Sequence, residues 1–311
     1  MLLTVCMNPS FDRTATIDHL VPGETNRLLS ARTDPGGKGI NVARGLLRLG
    51  DRVCCLTAAG KDGCERLDRM LRPEGLPLEM IPVSGAVRTN LKVMDAAGTL
   101  TELNEAGPVL TPEDVSRCMD ALQQVAHEAE YTVLTGSLPG GCGKDLYADM
   151  MRCLPAGSCL LDAEGETLLN GLREQPLLVK PNREELSRTL GVNLPDRAAI
   201  RKAAEKLLDM GAQNVLVSLG KDGAMLVSPG MTLSAEAVPV KVQSSVGAGD
   251  AMLACFLHGL KETGSLREAF RWGVAGGTCS VMSAGTNLFR KEDIDPMLKR
   301  VVIREEMCTG S

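Results

Sequence analysis

The residue types with the clearest chemistry lie together at the start of a predicted helix. Gly247, Ala248 and Gly249 precede one acid, Asp250, and an apolar run over residues 251–260 predicts the helix. Backbone N–H groups at a helix N-terminus lack partners within the helix and, together with the helix dipole, attract anions. An acid beside such a site repels the anion, unless the acid takes a proton from the nucleophile that attacks it. The segment therefore indicates phosphoryl transfer to a hydroxyl group, with Asp250 as general base.

A second glycine-rich segment favours this interpretation over the alternative, a tight turn in which Asp250 only caps the helix. Residues 36–39 read Gly-Gly-Lys-Gly, and the apolar positions of residues 40–49 predict a helix directly after them. The lysine of this segment, Lys38, adds a cation to a second helix N-terminus. Two anion sites, one with a base and one with a cation, are what a nucleotide phosphate and a substrate phosphate need.

Both segments resemble the signatures of the PfkB, or ribokinase-like, carbohydrate kinases, and the N-terminal sequence is most similar to the branch of 1-phosphofructokinases and tagatose-6-phosphate kinases. Other kinase classes are excluded, because the chain contains neither a Gly-x-x-x-x-Gly-Lys-Ser/Thr loop nor a His-Arg-Asp and Asp-Phe-Gly set. The remaining matches follow the family's order: Thr-Val-Cys-Met-Asn-Pro-Ser-Phe-Asp-Arg at 4–13, Thr-Gly-Ser-Leu-Pro at 135–139, Lys-Pro-Asn-Arg-Glu-Glu-Leu at 180–186 and Ser-Leu-Gly-Lys-Asp-Gly at 218–223.

The resemblance implies an activity, the ATP-dependent phosphorylation of a ketohexose monophosphate with Mg²⁺. Fructose 1-phosphate, converted to fructose 1,6-bisphosphate, is the expected acceptor. Tagatose 6-phosphate is the open alternative, because a ketohexose phosphate is nearly symmetric end to end. A non-catalytic sugar-phosphate sensor on the same fold is a distant alternative, which the presence of Asp250 and its glycines disfavours. Phosphoryl transfer needs mostly positioning and charge stabilisation, so a base, backbone amides and Mg²⁺ suffice.

The sugar site is predicted partly from the position of Asp12 along the chain and partly from the family resemblance. Asp12 follows a predicted first strand, and ligands of open α/β sheets bind at the carboxyl ends of strands; a turn after Pro9 is the alternative. The resemblance implies that Lys38 grips the phosphate already on the sugar and that Arg88 and Arg27 assist from a lid. The expected substrate-binding residues are Asp12, Gly37, Lys38, Asn41, Arg88, Ser137 and Arg27.

A nucleotide site is expected around two later motifs. Asn182 and Glu185 have the spacing of a helix N-cap and its N3 residue, which is a structural explanation by itself. The resemblance implies in addition that this element organises Mg²⁺ and the nucleotide phosphates, with Glu185 binding the metal through water. Residues 218–223 predict a tight hairpin turn, which the family uses against the nucleotide. The implied nucleotide-binding residues are Lys180, Asn182, Ser218, Gly220, Gly223 and Gly249.

The order of strand and helix patterns in the remaining sequence predicts the fold. Short apolar runs alternate with amphipathic helices, which indicates a mostly parallel sheet covered on both faces. The resemblance makes this a ribokinase-like three-layer α/β/α fold. The predicted strands are residues 2–7, 53–58, 131–135, 158–162, 176–180 and 214–218, and the clearest helices are residues 112–126 and 197–210.

Two segments, residues 12–35 and 86–105, break this alternation with short polar-alternating stretches and no helix pattern. An antiparallel flap over the site explains them. The resemblance implies a small β-sheet lid that also forms the contact of a homodimer, since exposed sheet edges need protection. The α/β domain is then expected to comprise residues 1–11, 36–85 and 106–311.

Composition narrows the possible partners. The chain has 311 residues, a formal charge of −5 and only 2% aromatic residues, which disfavours nucleic acid as a partner. Uninterrupted apolar runs are far shorter than the roughly 20 residues that span a bilayer, so no membrane partner is expected. The eleven cysteines fit no zinc-binding spacing and, without a signal peptide pattern, indicate a reducing cytoplasm.

Overall fold

Strands and helices alternate along most of the chain, and each apolar run predicted to be a strand contains one. The computed structural model describes residues 1–283 and 288–307. The elements are β1 (Leu2–Cys6), β2 (Ser10–Thr16), β3 (Ser30–Gly36), α1 (Lys38–Leu49), β4 (Val53–Asp62), α2 (Cys64–Leu71), β5 (Leu78–Ala86), β6 (Arg88–Met94), β7 (Leu100–Asn104), α3 (Pro112–Ala126), β8 (Tyr131–Thr135), α4 (Leu146–Arg152), β9 (Cys159–Asp162), α5 (Gly165–Leu172), β10 (Leu178–Val179), α6 (Arg183–Leu190), α7 (Arg197–Asp209), β11 (Val215–Ser218), β12 (Ala224–Ser228), β13 (Met231–Ala235), α8 (Ala248–Thr263), α9 (Leu266–Val281), α10 (Lys291–Leu298) and β14 (Ile303–Met307).

Ten strands form one large sheet in the order β14-β13-β12-β11-β10-β9-β8-β1-β4-β5. From β5 to β11 in this order, neighbours pair in parallel, whereas β12, β13 and β14 extend the sheet by antiparallel pairing. The predicted, mostly parallel α/β sheet is therefore confirmed. Because β1, β8, β9 and β10 run in one direction, the loops that follow them lie side by side at one edge, where ligands of such sheets bind.

Helices cover both faces of the large sheet. One buried cluster packs the sheet against α1, α8, α9 and α10 and includes Leu46 and Phe256; the other packs the opposite face against α3 to α7 and includes Tyr147 and Leu207. Removing this apolar surface from water stabilises the fold by roughly 25 cal/mol per Å². Within the described ranges, no helix has both the length and the apolar character needed to cross a lipid bilayer.

The start of α3 shows how local sequence sets an element boundary. Thr111 Oγ1 accepts a hydrogen bond from the backbone of Asp114, whose carboxylate accepts one from the backbone of Thr111, and Pro112 is the first helical residue. This reciprocal capping box satisfies two backbone N–H groups that the helix itself leaves unpaired. The predicted helix over residues 112–126 is confirmed with both of its ends.

A second, separate sheet has four strands in the order β3-β2-β6-β7. Its outer pairs are antiparallel, but its central pair, β2 and β6, is parallel. The expected antiparallel flap is therefore confirmed for the outer pairs and wrong for the central pair. The reason is topological: β2 continues from β1 and β6 continues from β5, and because β1 and β5 run in the same direction, so do the strands that follow them.

Candidate active site

Two cavities meet above the carboxyl ends of the central strands. The first, about 640 Å³, is bordered by the small sheet and by the loops after β1, β8 and β9. The second, about 1070 Å³, is bordered by the starts of α6 and α8, by the turn after β11 and by α9. Lys38, Glu185, Gly247 and Asp250 line both cavities. A group can therefore pass at this junction from a ligand in one cavity to a ligand in the other.

Asp250 is a buried carboxylate at the junction. It lies in the first turn of α8, is 6% exposed, and its Oδ2 accepts a 2.9 Å hydrogen bond from Nδ2 of Asn41. Burial raises the pKa of Asp250 to about 6, against the opposing effect of the ammonium groups of Lys38 and Lys180. The negative charge of Asp162 adds to the rise. An acid with this pKa is ionised at neutral pH and is still basic enough to accept a proton in a transition state.

Glycines shape the start of α8. Gly247, in the left-handed region at φ 78°, is the N-cap and has no side chain that could satisfy the first backbone N–H groups. A side chain on Gly249 would meet Lys180, whose Nζ lies 3.2 Å from the ideal Cβ position. Backbone amides at the helix start and a buried ammonium group thus lie side by side, as an anion site requires.

Asp162, which the sequence analysis missed, connects these groups. It ends β9, is 1% exposed, and places Oδ1 3.3 Å from Nζ of Lys38 and Oδ2 3.4 Å from Nζ of Lys180. Thr135 donates a 3.1 Å hydrogen bond to Oδ2. Burial favours the neutral acid, but the two ammonium groups and these hydrogen bonds hold the pKa of Asp162 below its usual value. Asp162 is therefore an anion held between two lysines.

Lys38 is the first residue of α1, and carboxylates surround its ammonium group. Its Nζ lies 3.7 Å from Oε1 of Glu185 in addition to its contact with Asp162. Burial opposes the charge, but Asp162, Glu185 and Asp250 outweigh burial and raise the pKa of this lysine. These contacts hold the ammonium group of Lys38 at the junction of the two cavities.

The Gly-Gly-Lys-Gly segment packs tightly against β1. A Cβ on Gly37, where φ is 114°, would lie 2.7 Å from Sγ of Cys6, and a Cβ on Gly39 would lie 2.7 Å from a backbone carbonyl oxygen of β1. Real side chains do not approach so closely, so glycine at both positions lets α1 begin directly over the strand end. This packing brings Lys38 and Asn41 to the first cavity.

Asp12 lies in β2 of the small sheet, beyond the strand end where the sequence analysis placed it. Its Oδ1 accepts hydrogen bonds from Oγ of Ser10 at 2.8 Å and Nδ2 of Asn90 at 3.0 Å. Its Oδ2 forms a buried ion pair with Nζ of Lys92 at 2.9 Å. A buried pair is favourable only when further hydrogen bonds satisfy its atoms, which Ser10 and Asn90 do here. All four side chains line the first cavity.

Four buried polar atoms with no hydrogen-bond partner among the described residues belong to the wall of the first cavity. They are Oδ1 of Asn8, Asn41 and Asn90, and Nε of Arg88. Buried polar atoms are nearly always paired in native proteins, so this concentration points to a polar ligand. Three amide oxygens match the hydroxyl hydrogens of a sugar, and a guanidinium N–H matches an anion.

Arg88 and Ser137 both contact Asn8. Nη2 of Arg88 donates to the backbone oxygen of Asn8 at 3.1 Å, and Oγ of Ser137 accepts from its side-chain amide at 3.4 Å. Lys144, an exposed cation that the sequence analysis missed, lines the same cavity. A guanidinium, a hydroxyl and an ammonium group are the donors that proteins use for phosphate.

Arg27 lies away from both cavities of its own chain. It is exposed in the loop between β2 and β3 and lines neither cavity. The register explains this: Ser10 pairs with Gly36 at the cavity end of the hairpin, whereas Thr16 pairs with Ser30 at the far end, where the loop begins. Six residues of strand separate the two ends, which corresponds to about 20 Å.

The second cavity contains every residue expected at the nucleotide site: Lys180, Asn182, Ser218, Gly220, Gly223 and Gly249. The predicted capping box is confirmed, because Asn182 and Glu185 exchange two 2.8 Å hydrogen bonds at the start of α6. Residues 218–223 form the predicted turn between the antiparallel strands β11 and β12. Val240, Val242 and Val281 add an aliphatic wall, which suits the faces of a purine ring.

One carboxylate at the junction, that of Glu185, has an oxygen that fits a Mg²⁺ ion. Oε2 of Glu185 takes part in the capping box of α6. Oε1 faces Lys38, which lies between Glu185 and Asp162. Mg²⁺ prefers oxygen ligands, keeps several waters, and is usually held by one or two carboxylates together with substrate phosphates. Glu185, through water, is the residue that would hold the ion.

The site residues that were not predicted differ in how strongly the sequence indicates them. Asp162 ends a predicted strand, so the rule that drew attention to Asp12 applies to it equally. Lys92 lies between two apolar residues in a predicted strand of alternating polar and apolar residues. The sequence therefore indicates which face of the strand carries Lys92, but not that Lys92 pairs with Asp12. Lys144 lies in a polar loop and carries no distinguishing signal.

Comparisons with known proteins agree with this geometry. The sequence profile described as "pfkB family carbohydrate kinase" matches residues 6–293. The chain is 34% identical to a 1-phosphofructokinase of Xanthomonas campestris pv. campestris over 97% of both chains. It is 33% identical to an ATP-dependent 6-phosphofructokinase isozyme 2 of Mycobacterium tuberculosis, over 94% of this chain and 88% of the relative. The crystal structure of phosphofructokinase-2 from Escherichia coli in complex with fructose-6-phosphate superposes with a TM-score of 0.87 and 30% identity, covering 96% and 98% of the two chains.

Proposed function

This chain belongs to the pfkB family of carbohydrate kinases, and we propose that it transfers a phosphoryl group from ATP to fructose 1-phosphate, giving fructose 1,6-bisphosphate and ADP. The observation that carries the proposal is the position of Asp250. This buried carboxylate, with a pKa of about 6, lines both cavities where they meet. One cavity has unpaired acceptors suited to a sugar, and the other begins at amides suited to phosphate.

In the proposed reaction Asp250 accepts the proton of the C6 hydroxyl as the C6 oxygen attacks the γ-phosphorus. A bond forms between that oxygen and phosphorus, the bond from phosphorus to the β–γ bridging oxygen breaks, and ADP leaves. The amides of Gly247, Ala248 and Gly249 and the ammonium groups of Lys38 and Lys180 stabilise the charge on the moving phosphoryl group. This assignment of Lys38 replaces its expected role at the far phosphate.

The sugar is held by the wall of the first cavity. Arg88 and Ser137, with Lys144, bind the C1 phosphate. Asp12 accepts hydrogen bonds from sugar hydroxyls while Lys92 holds its carboxylate in place. The free oxygen of Asn41 takes a further hydroxyl, and Gly37 contributes its backbone to the wall of the cavity. Arg27 lines neither cavity of its own chain, so we assign it no contact with the sugar here.

The nucleotide occupies the second cavity, with its phosphates directed to the start of α8. Lys180 and Asn182 contact the phosphates, and the turn of Ser218, Gly220 and Gly223 lies against the phosphates and ribose. When bound through Glu185 and water, Mg²⁺ supplies further neutralisation of the phosphate charge.

Two other acceptors are candidates. Fructose 6-phosphate is favoured by the similarity to a 6-phosphofructokinase of Mycobacterium tuberculosis. Tagatose 6-phosphate remains an alternative from the resemblance of the N-terminal segment. A non-catalytic sensor is disfavoured, because a binding protein has no need for a buried carboxylate of raised pKa at the junction.

The small sheet borders the first cavity and carries exposed apolar residues. Residues 12–35 and 86–105 act as a lid over the first cavity, and two copies of the chain pair through it; the exposed Leu29 and Leu103 in these segments, 72% and 59% accessible, support such a contact. The enzyme works in the cytoplasm, as the ten free cysteines among the described residues favour.

The test is ADP release with Mg-ATP, measured side by side on fructose 1-phosphate, fructose 6-phosphate, tagatose 6-phosphate and free fructose. We expect the highest kcat/KM with fructose 1-phosphate. A higher kcat/KM with one of the other sugar phosphates would correct the substrate and keep the chemistry. Bound but unconverted sugar phosphate would favour the sensor.

A further inference from the structure

A single buried carboxylate connects the lysines of the two cavities. Asp162 and Lys38 line the first cavity, and Lys38 and Lys180 line the second. Each oxygen of Asp162 serves one lysine, at 3.3 Å and 3.4 Å. The hydrogen bond from Thr135, at 3.1 Å, fixes the orientation of the carboxylate. Nothing in the proposed reaction requires Asp162 to touch a substrate.

We propose that Asp162 is a positioning residue, which holds Lys38 and Lys180 at the junction so that both ammonium groups face the phosphoryl group during its transfer. The inference deepens the proposed kinase function and rests on it. It predicts that Asp162 determines the rate of transfer more than the binding of either substrate.

The physical reason lies in the mutual repulsion of the two lysines. Without an anion between them, two ammonium groups in a site of low dielectric repel each other and move apart. Transition-state stabilisation depends on charges that already point at the reacting atoms and need no rearrangement. The backbone supports this role, because Asp162 and Thr135 are paired residues at the ends of the parallel strands β9 and β8.

The charge of Asp162 also acts on the base. The groups that influence the pKa of Asp250 are Lys38 and Asn41 from α1, Lys180 from the loop after β10, and Asp162 from β9. Only Asp162 is negative, and its charge raises that pKa. Loss of the charge therefore lowers the pKa of Asp250, so the acidic limb of the pH–rate profile moves to lower pH.

The experiment compares Asp162→Asn with the wild type on its sugar phosphate and Mg-ATP, with Asp114→Asn as matched control. Asp114 is also a buried aspartate with an arginine and a backbone partner, but it caps α3 and lines neither cavity. For Asp162→Asn we expect kcat to fall about 10- to 100-fold, KM values to change less than about threefold, and the acidic limb to shift downwards. The control loses thermal stability and keeps kcat and the pH profile.

A double-mutant cycle with Lys38→Met tests whether Asp162 acts through the lysine. If it does, Asp162→Asn adds little to the loss of kcat already caused by Lys38→Met. Fully multiplicative losses would overturn the proposal. Unchanged kcat in Asp162→Asn would overturn it as well, and so would recovery of kcat at raised Mg²⁺, which would make Asp162 a metal ligand.

If Asp162→Asn fails to fold, Asp162→Glu keeps the charge and displaces it by one methylene. We expect a reduced kcat with an acidic limb at the wild-type position; full wild-type kcat would contradict the positioning role. Wild-type turnover tests the proposed function alone, whereas the ratio of variant to wild type tests Asp162. The two failures are therefore distinguishable.

Discussion

Nδ2 of Asn41 donates a 2.9 Å hydrogen bond to Oδ2 of Asp250, across 209 residues of sequence. The bond joins the first turns of α1 and α8, the two glycine-led helices whose N-termini meet at the site. The hydrogen bond therefore fixes the orientation of Asp250 through α1, the helix that also carries Lys38. Asn41 is a positioning residue for Asp250 as well as a candidate ligand of the sugar.

Replacement of Asn41 should move the pH dependence of the reaction. The hydrogen bond from Asn41 lowers the pKa of Asp250, which burial raises to about 6. In Asn41→Ala the pKa rises further, so the acidic limb of kcat/KM moves to higher pH. Below that limb the rate falls about tenfold per pH unit, because only the ionised base acts. Asn193→Ala, at an exposed position outside both cavities, is the control; an unmoved limb in Asn41→Ala would contradict the assignment.

Asp250→Asn should make the protein more stable at neutral pH. Because the folded state raises the pKa of Asp250 from 3.8 to about 6, the group stabilises the fold below pH 4, and this contribution is lost as pH rises through 6. The neutral amide avoids the cost of a buried charge. Thermal unfolding at pH 8 should show a higher Tm for the variant and no gain at pH 4. A lower Tm at pH 8 would mean that the ionised carboxylate stabilises the fold.

Lys38→Met distinguishes the two positions considered for this lysine. If its ammonium acts at the junction, kcat falls by about two orders of magnitude and the KM for the sugar phosphate changes little. If Lys38 instead gripped the phosphate already on the sugar, that KM would rise and kcat would be less affected. Steady-state kinetics with each substrate varied in turn separates the outcomes.

Arg88→Ala should weaken the binding of the sugar phosphate and leave the binding of ATP unchanged. A charge-assisted hydrogen bond contributes about 1.5–3 kcal/mol, so KM for the sugar phosphate should rise roughly 10- to 100-fold while KM for ATP stays near the wild-type value. Arg52→Ala is a matched control, because this exposed arginine lies outside both cavities and outside the lid segments. An equal loss in both variants would place the phosphate elsewhere.

Asp51 belongs to an ion pair that lies away from the candidate active site, so its replacement should affect stability and not turnover. This buried carboxylate accepts from Lys261 at 3.0 Å and lies 2.8 Å from Nδ1 of His258. Burial opposes its charge, but His258 and Lys261 outweigh burial and hold the pKa of Asp51 below 3.8. The stability it contributes is present above pH 4 and is lost as pH falls through the lowered pKa. Asp51→Asn should reduce the free energy of unfolding at pH 7 by about 1–3 kcal/mol and leave kcat unchanged; a lower kcat would link this cluster to the site.

Local signals made much of the fold predictable. Apolar runs found the strands at the centre of the sheet, and the capping boxes of Thr111 and Asn182 marked two helix starts, because a cap depends on residues three positions apart. The parallel pairing of β2 and β6 was not predictable in this way. It follows from the direction of β1 and β5, which no short segment encodes.

The site was predictable where chemistry lies within one motif and not where it depends on distant contacts. The glycines before Asp250 could be read directly from the sequence, and the family resemblance implied the nucleotide-site residues within the motifs at 180–185 and 218–223. The partners of Asp162 come from α1, from β8 and from the loop after β10. Lys92 meets Asp12 across two neighbouring strands, although the two residues are 80 positions apart in the sequence. Arg27 shows the opposite case: a charged residue near the site in sequence lies at the far end of a hairpin in space.

The most direct test of the central claim is the kcat of Asp250→Asn with fructose 1-phosphate and Mg-ATP, combined with calorimetric binding of both ligands. Because the amide is the same size and cannot take a proton, we predict that kcat falls at least about a thousandfold, while both dissociation constants stay within about threefold of the wild type. A variant that turns over at a wild-type rate would contradict Asp250 as the general base, and with it the reaction proposed for this site.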